Sequence, residues 1–203
     1  MGILESLFGP SREKQMEELV KQSSMEYTMY PDQQFLEVLE DFNIFQAGSK
    51  KVAKHLFSIQ DENKVSVKIF DYKYTTRNSK RTTDHWQTVV VLTASDLSLA
   101  HFRIYSKHAF SGLEKFFGGQ DIDISYDEAF NEKFIVRSVY PDDIHHHLNP
   151  TFRNYMIESL DVDLEVMNYF IVLNINNLLK CHVDQYEAYY FHIFKIYEAL
   201  KSK

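Results

Sequence analysis

The stretch with the most chemical potential in this chain is "DDIHHHLNP", residues 142–150, where two carboxylates precede three consecutive histidines. Imidazole and carboxylate are ligand types for zinc and other divalent metals, so a metal site is the first chemistry to weigh. Neighbouring residues on a helix point about 100° apart, so His145, His146 and His147 cannot converge on one ion. Asp142 with His146 and Asp143 with His147 do have the i, i+4 spacing, but that is equally the spacing of an ordinary helix ion pair. Three polar positions in a row read as an exposed turn. The other histidines, His55, His85, His101, His108, His182 and His192, are scattered and form neither an HExxH helix nor a Cys-His pattern. No metal and no cofactor are expected.

A second polar cluster, "GGQDIDISYDE", carries Asp121, Asp123, Asp127 and Glu128. On a strand Asp121 and Asp123 share the face opposite Ile122 and Ile124, which describes a solvated face, a weak cation site or, more remotely, a catalytic carboxylate pair. Cys181 is followed directly by His182, and adjacent side chains diverge on any regular element, so a nucleophilic pair would need tertiary approach. The chain has no phosphate-binding glycine loop, GxSxG elbow or dinucleotide fingerprint. With no catalytic signature, the residues point away from an enzyme. A metal-dependent hydrolase using these histidines and aspartates is the least favoured of three readings.

Composition narrows the class further. The 203 residues carry a formal charge of -7, which argues against nucleic acid, since phosphate recognition needs clustered Lys and Arg. The short basic run "TTRNSKR", residues 75–81, reads as a hairpin loop. One cysteine excludes an intramolecular disulfide, and no secretory leader is visible, so the expected compartment is the cytoplasm. The most apolar run, "YFIVLNINNLL", is too short and too rich in asparagine to cross a bilayer. "MGILES" fits the loose myristoylation pattern at Gly2, and Ile3, Leu4, Leu7 and Phe8 also suit a short surface anchor.

These groups must be positioned by elements that the hydrophobic period reveals. Gly9-Pro10 separates the first residues from a helix, "SREKQMEELVKQ", capped by Ser11. Its stripe of Met16, Leu19 and Val20 must dock on something, the main domain or another protomer. "DQQFLEVLEDF" is a second short helix. "KVSVKIFDYKYTT" alternates about Val65, Val67 and Ile69 and then slips to Phe70, Tyr72 and Tyr74, which requires a strand buried on both faces or a bulge near Ile69. "HWQTVVVLTA" pairs with it as a hairpin, and "LAHFRIYS" adds a third strand. "HAFSGLEKFFGG" is a helix, "DIDIS" and "KFIVRSV" are strands, and "PDDIHHHLNPTFRNYMIESL" is helical with a break at Pro150. "DVDLEVM" and "YFIVLNI" make a last hairpin across Asn168, and a C-terminal helix carries Tyr186, Tyr190, Ile193, Phe194, Tyr197 and Leu200.

The order implies an α+β fold, an antiparallel and strongly curved sheet of about seven strands with helices packed on it. It comprises an N-terminal segment, residues 1–24, and a single domain, residues 25–203. Sixteen Phe and thirteen Tyr make an aromatic core. They also define a candidate ligand pocket under the C-terminal helix, with Tyr72, Tyr74, Tyr186 and Tyr190 at its mouth. The candidate partner contacts are Met16, Leu19 and Val20.

Ordered blocks in the chain resemble a family of uncharacterised bacterial domains. They are "VSVKIFDYKYTT", "QTVVVL", "LAHFRIYSK", "GGQDIDI", "AFNEKFIVRSV" and a helix opened by "DD", together spanning about residues 45–200. Many members of that family are tethered to membranes by flanking transmembrane helices. It has no established activity, so the resemblance implies a cytoplasmic bacterial α+β domain and no site residues.

The leading expectation is a non-enzymatic cytoplasmic binding or scaffold module with a protein partner and a further contact at the inner membrane surface. The alternative is a small-molecule or lipid-binding domain with an aromatic-lined cavity. Oligomeric state is left open by the sequence.

Overall fold

A computed structural model of the chain describes residues 11–23, 25–32, 34–62, 64–107, 119–158, 162–175 and 185–202. The fold is α+β, built on a nine-stranded antiparallel sheet in the order β1-β2-β3-β4-β9-β8-β5-β7-β6. In chain order the strands are β1 (Glu26–Thr28), β2 (Ser49–Gln60), β3 (Ser66–Arg77), β4 (Thr82–Thr93), β5 (Leu99–Ser106), β6 (Gln120–Ile122), β7 (Phe134–Ser138), β8 (Val162–Asn168) and β9 (Phe170–Ile175). The helices are α1 (Arg12–Gln22), α2 (Gln34–Glu37), α3 (Asn43–Gln46), α4 (Glu128–Lys133), α5 (Pro141–Ile144), α6 (Pro150–Glu158) and α7 (Tyr186–Lys201).

The sheet has two more strands than the seven expected, and β1 and β2 are the additions. β2 hides its alternation. Its register to β3 shifts between Ser49 and Val52 and again between Lys54 and Phe57, and Lys50 and His55 hold φ of 52° and 54°. The second bulge transfers the odd-numbered side chains from one face to the other, so Ala53 and Phe57 lie in different core clusters. Gly48 admits the chain to this irregular strand at φ 64°; a Cβ there would stand 2.6 Å from the Thr75 carbonyl oxygen.

The slip in "KVSVKIFDYKYTT" is a strand buried on both faces, because β3 pairs with β4 in continuous register from Ser66–Thr93 to Arg77–Thr82. The basic run closes that hairpin, with the Asn78 side chain accepting from the amides of Lys80 and Arg81. The hairpin across Asn168 is present, with Asn168 at φ 55°. β5 does not join the β3–β4 hairpin as a third strand. The β8–β9 hairpin inserts between β4 and β5, with β9 on β4 and β8 on β5.

Two cores result. On one face Phe57, Val67, Ile69, Val90, Leu92, Phe102 and Ile104 pack beneath α1, α6 and α7. On the other, Phe70, Tyr72, Tyr74, Val89 and Val91 pack beneath α2 and α3 with Leu39, Phe42 and Phe45. The expected single helix over residues 141–160 is two helices. Pro150 starts α6, where the Asn149 Oδ1 accepts from the Phe152 amide at 2.9 Å and the Asn149 amide nitrogen donates to the Ala199 and Ser202 carbonyls at the end of α7.

Candidate functional site

The candidate site lies between α1 and the first turns of α7. Ser11 caps α1 by accepting from the Lys14 amide, and Ser23 closes it by donating its amide to the Leu19 carbonyl at 2.9 Å. The helix is held down by charge as well as by its apolar stripe. Arg12 donates Nε to Asp71 Oδ2 at 3.1 Å and Nη2 to Asp71 Oδ1 at 2.9 Å. Asp71 is fully buried in the middle of β3 and accepts further from the Thr88 hydroxyl at 3.2 Å. The Arg12 Nη2 also donates to the Tyr186 hydroxyl at 3.1 Å, so one guanidinium ties α1, β3 and α7 together.

Beside this junction the two helices border an open groove of about 410 Å³. Its walls are Leu19, Gln22 and Ser23 from α1, Met25 from the following segment, Ile59 from β2, and Tyr186, Glu187 and Tyr190 from α7. Tyr186 stands edge-on to Phe57 with centroids 5.3 Å apart, which makes the floor rigid. Tyr190 packs on Phe194 at 4.8 Å, and Phe191 extends the aromatic surface into solvent. Burial raises the pKa of the Tyr190 phenol, and the Asp61 carboxylate adds to that shift. The site offers apolar area, aromatic faces, a carboxamide and one carboxylate, which suits recognition by contact.

The groove brings together Leu19, a candidate partner contact, with Tyr186 and Tyr190, candidate pocket residues. Met16 is fully buried in the domain's own core, and Val20 packs half-buried against it. Of the two docking modes considered for this stripe, the structure shows the intramolecular one. Tyr72 and Tyr74 lie on the opposite face of the sheet, where Phe45 stands edge-on to Tyr72 at 4.9 Å and His85 stacks on Tyr74 at 4.8 Å. They do not share a cavity with Tyr186 and Tyr190. Nothing in the sequence marks Gln22, Ser23, Met25 or Ile59, because their role follows from where α1 ends over β2.

The three histidines are a turn after α5, and one of them is not exposed. His147 is 8 % exposed, its Nε2 accepts from the Ala100 amide at 3.4 Å, and its ring stacks on Phe102. The surroundings hold it neutral: burial, helped by proximity to His146 and opposed by Asp143, lowers its pKa to about 4. Among the described residues no group of three His, Cys, Asp or Glu side chains is placed to hold a metal ion. Asp121 pairs with Arg137, Asp123 accepts from the Asn131 amide nitrogen at 2.6 Å, and Asp127 caps α4 while accepting from Arg153 Nε at 2.6 Å. Cys181, His108, His182, the "MGILES" pattern and nearly all of "HAFSGLEKFFGG" lie outside the described residues.

One polar network has no forerunner in the sequence reading. His101 and Arg103 of β5 and Asp163 and Glu165 of β8 alternate with apolar residues, and α3 covers part of the polar face they form. Glu165 accepts from the Asn43 amide at 2.8 Å, from the Asn43 side chain at 2.9 Å, and bonds His101 Nε2 at 2.8 Å. Arg103 donates to both oxygens of Asp163, at 2.7 and 2.5 Å, with both residues buried.

Among the described residues no helix is long and apolar enough to cross a membrane. No protein-family model matches the chain, and no curated protein matches it. The fold does have a counterpart among solved structures. The crystal structure of the mycobacterial trehalose monomycolate transport factor A, TtfA, is similar with a TM-score of 0.64 over 93% of each chain at 11% identity, a likeness of fold alone.

Proposed function

We propose that this chain is a non-enzymatic binding module of the cytoplasm whose contact surface is the groove between α1 and α7. The observation that carries the reading is the groove itself. Two elements far apart in sequence are clamped by Arg12, Asp71 and Tyr186, and what they leave open is a pre-formed apolar and aromatic concavity. A rigid surface of this kind binds without first ordering itself, which removes part of the entropic cost of association. A neighbour in fold is by name a transport factor, which is in keeping with an accessory role.

Site-specific photo-crosslinking in the native host tests the proposal. A photoreactive side chain at Gln22, exposed on the groove wall, is expected to give a discrete protein adduct. The same group at exposed Glu132, on α4, is expected to give none. Equal labelling from both positions, or no adduct from Gln22, would sink the reading.

The groove's volume also falls within the range of small-ligand sites, roughly 300–1,000 Å³, and this supports the second reading, a domain that binds a small molecule or lipid. Native mass spectrometry of untreated protein separates the two. Added mass in small discrete steps favours the ligand; a bare chain or a protein complex favours the module.

A further inference from the structure

The electrostatics around the groove go beyond its shape. Among the described residues that line it, Glu187 is the formally charged one. Burial raises the pKa of the neighbouring tyrosines, and carboxylates add to it, Asp61 at Tyr190 and Glu13, Glu17 and Asp71 at Tyr27. Arg12, the cation against the floor, is bound to Asp71. In the sequence next to the lining residues, Glu18, Asp61, Glu62 and Glu187 outnumber Lys21, Lys64 and Lys195. The aromatic surface beside the groove already accommodates an ammonium within the chain, with Lys195 Nζ 5.3 Å from the centre of the Phe191 ring.

We propose that the occupant of the groove is a cationic, amphipathic segment of a partner protein, with an apolar anchor among Leu19, Met25 and Ile59 and a Lys or Arg held by Glu187 and the Tyr190 ring. This rests on the binding reading above. A basic side chain next to an apolar one satisfies both halves of the lining, because a carboxylate and an aromatic face attract the same cation. An anionic membrane surface is disfavoured by the same charges, since its headgroups would meet carboxylates on approach. The occupant is therefore a peptide segment and not a lipid headgroup, which turns the expected inner-membrane contact away from this face.

The test uses the full chain and two labelled synthetic amphipathic helices, one with leucine and lysine, the other with leucine and glutamate. Fluorescence anisotropy is expected to show the Leu/Lys helix binding, weakened by salt. Glu187→Lys should lower its affinity by at least about tenfold and Glu187→Gln by less, with unchanged circular dichroism. Glu132→Lys, the same charge change on distant α4, should alter it by less than about twofold. Equal binding of the Leu/Glu helix, or indifference to Glu187→Lys, overturns the cationic assignment. Indifference of both helices to Tyr190→Ala overturns the groove reading itself. Co-sedimentation with phosphatidylglycerol vesicles without binding of the Leu/Lys helix replaces the peptide with a membrane and overturns the proposal.

Discussion

Arg12 and Asp71 form a two-bonded ion pair across 59 residues of chain, and the two ends of that pair are not equally buried. The Asp71 side chain is fully enclosed, whereas Arg12 keeps 13 % exposure. Replacing Arg12 by Met strands a carboxylate in the core, where the Thr88 hydroxyl still donates to it, and should cost about 3–5 kcal/mol. Asp71→Asn leaves a guanidinium that reaches water and should cost less, about 1–3 kcal/mol. Arg12→Met combined with Asp71→Leu should be more stable than Arg12→Met alone. Urea midpoints of the three variants check the order; a double variant no better than Arg12→Met would refute it.

His147 gives stability a pH dependence. Its proton is lost near pH 6.5 in an unfolded chain and only near pH 4 in the folded one, so the unfolded state binds more protons between those values. The contribution is fully present above about pH 6.5 and declines as pH falls towards about 4, to a total of about 3 kcal/mol. Burial shifts His192 in the same direction, so the wild type alone does not isolate His147. His147→Phe should flatten the curve of unfolding free energy against pH by about one proton in that window. Parallel curves would show that His147 does not titrate as described.

Gly48 cannot take a side chain cheaply. An alanine there meets the Thr75 carbonyl at 2.6 Å and the Tyr74 ring at 2.8 Å, at a left-handed φ of 64°. Gly48→Ala should destabilise by about 2 kcal/mol or more, read as a lower thermal midpoint. An unchanged midpoint would mean that the start of β2 relaxes freely.

The tyrosines on opposite faces should behave as two independent sets. The Tyr72 hydroxyl is buried without a hydrogen-bond partner among the described residues, and burial, reinforced by Tyr74, drives its pKa well above the ordinary phenol range. Tyr72→Phe should therefore keep stability within about 0.5 kcal/mol, or raise it, and leave binding at the groove unchanged. Tyr190→Ala should weaken binding with little change in fold. Loss of binding in Tyr72→Phe would show coupling through the sheet.

What the sequence reveals follows the range of the interactions. The β3–β4 and β8–β9 hairpins, the stripe of α7 and the capped α1 are all readable, because period, turn chemistry and capping act within a few residues. β2 escapes detection because two bulges reverse its parity in mid-strand. His147 is misread, and Glu165 goes unread, for another reason. A polar residue at the right period looks solvated until a distant element, β5 for His147 and α3 for Glu165, is known to cover it. The groove is legible only in halves. Leu19 and the pair Tyr186 and Tyr190 each stand out, but their convergence depends on sheet order, and so do the anonymous contributions of Met25 and Ile59.

The insertion of β8 and β9 between β4 and β5 imposes an order of events on the folding chain. Val89 must wait for Asn174 and Arg103 for Glu165, so while the ribosome is making the first four-fifths of the protein, β4 and β5 each present an unpaired edge. Such edges recruit one another between nascent chains. The central ladders join residues of high sequence separation, which places folding in the slow, topology-limited regime and leaves any truncation before β8 split in the middle of its sheet. The last hairpin to emerge is thus the keystone, and a stalled or shortened chain should be recovered with chaperones or as aggregate and not as a smaller folded domain.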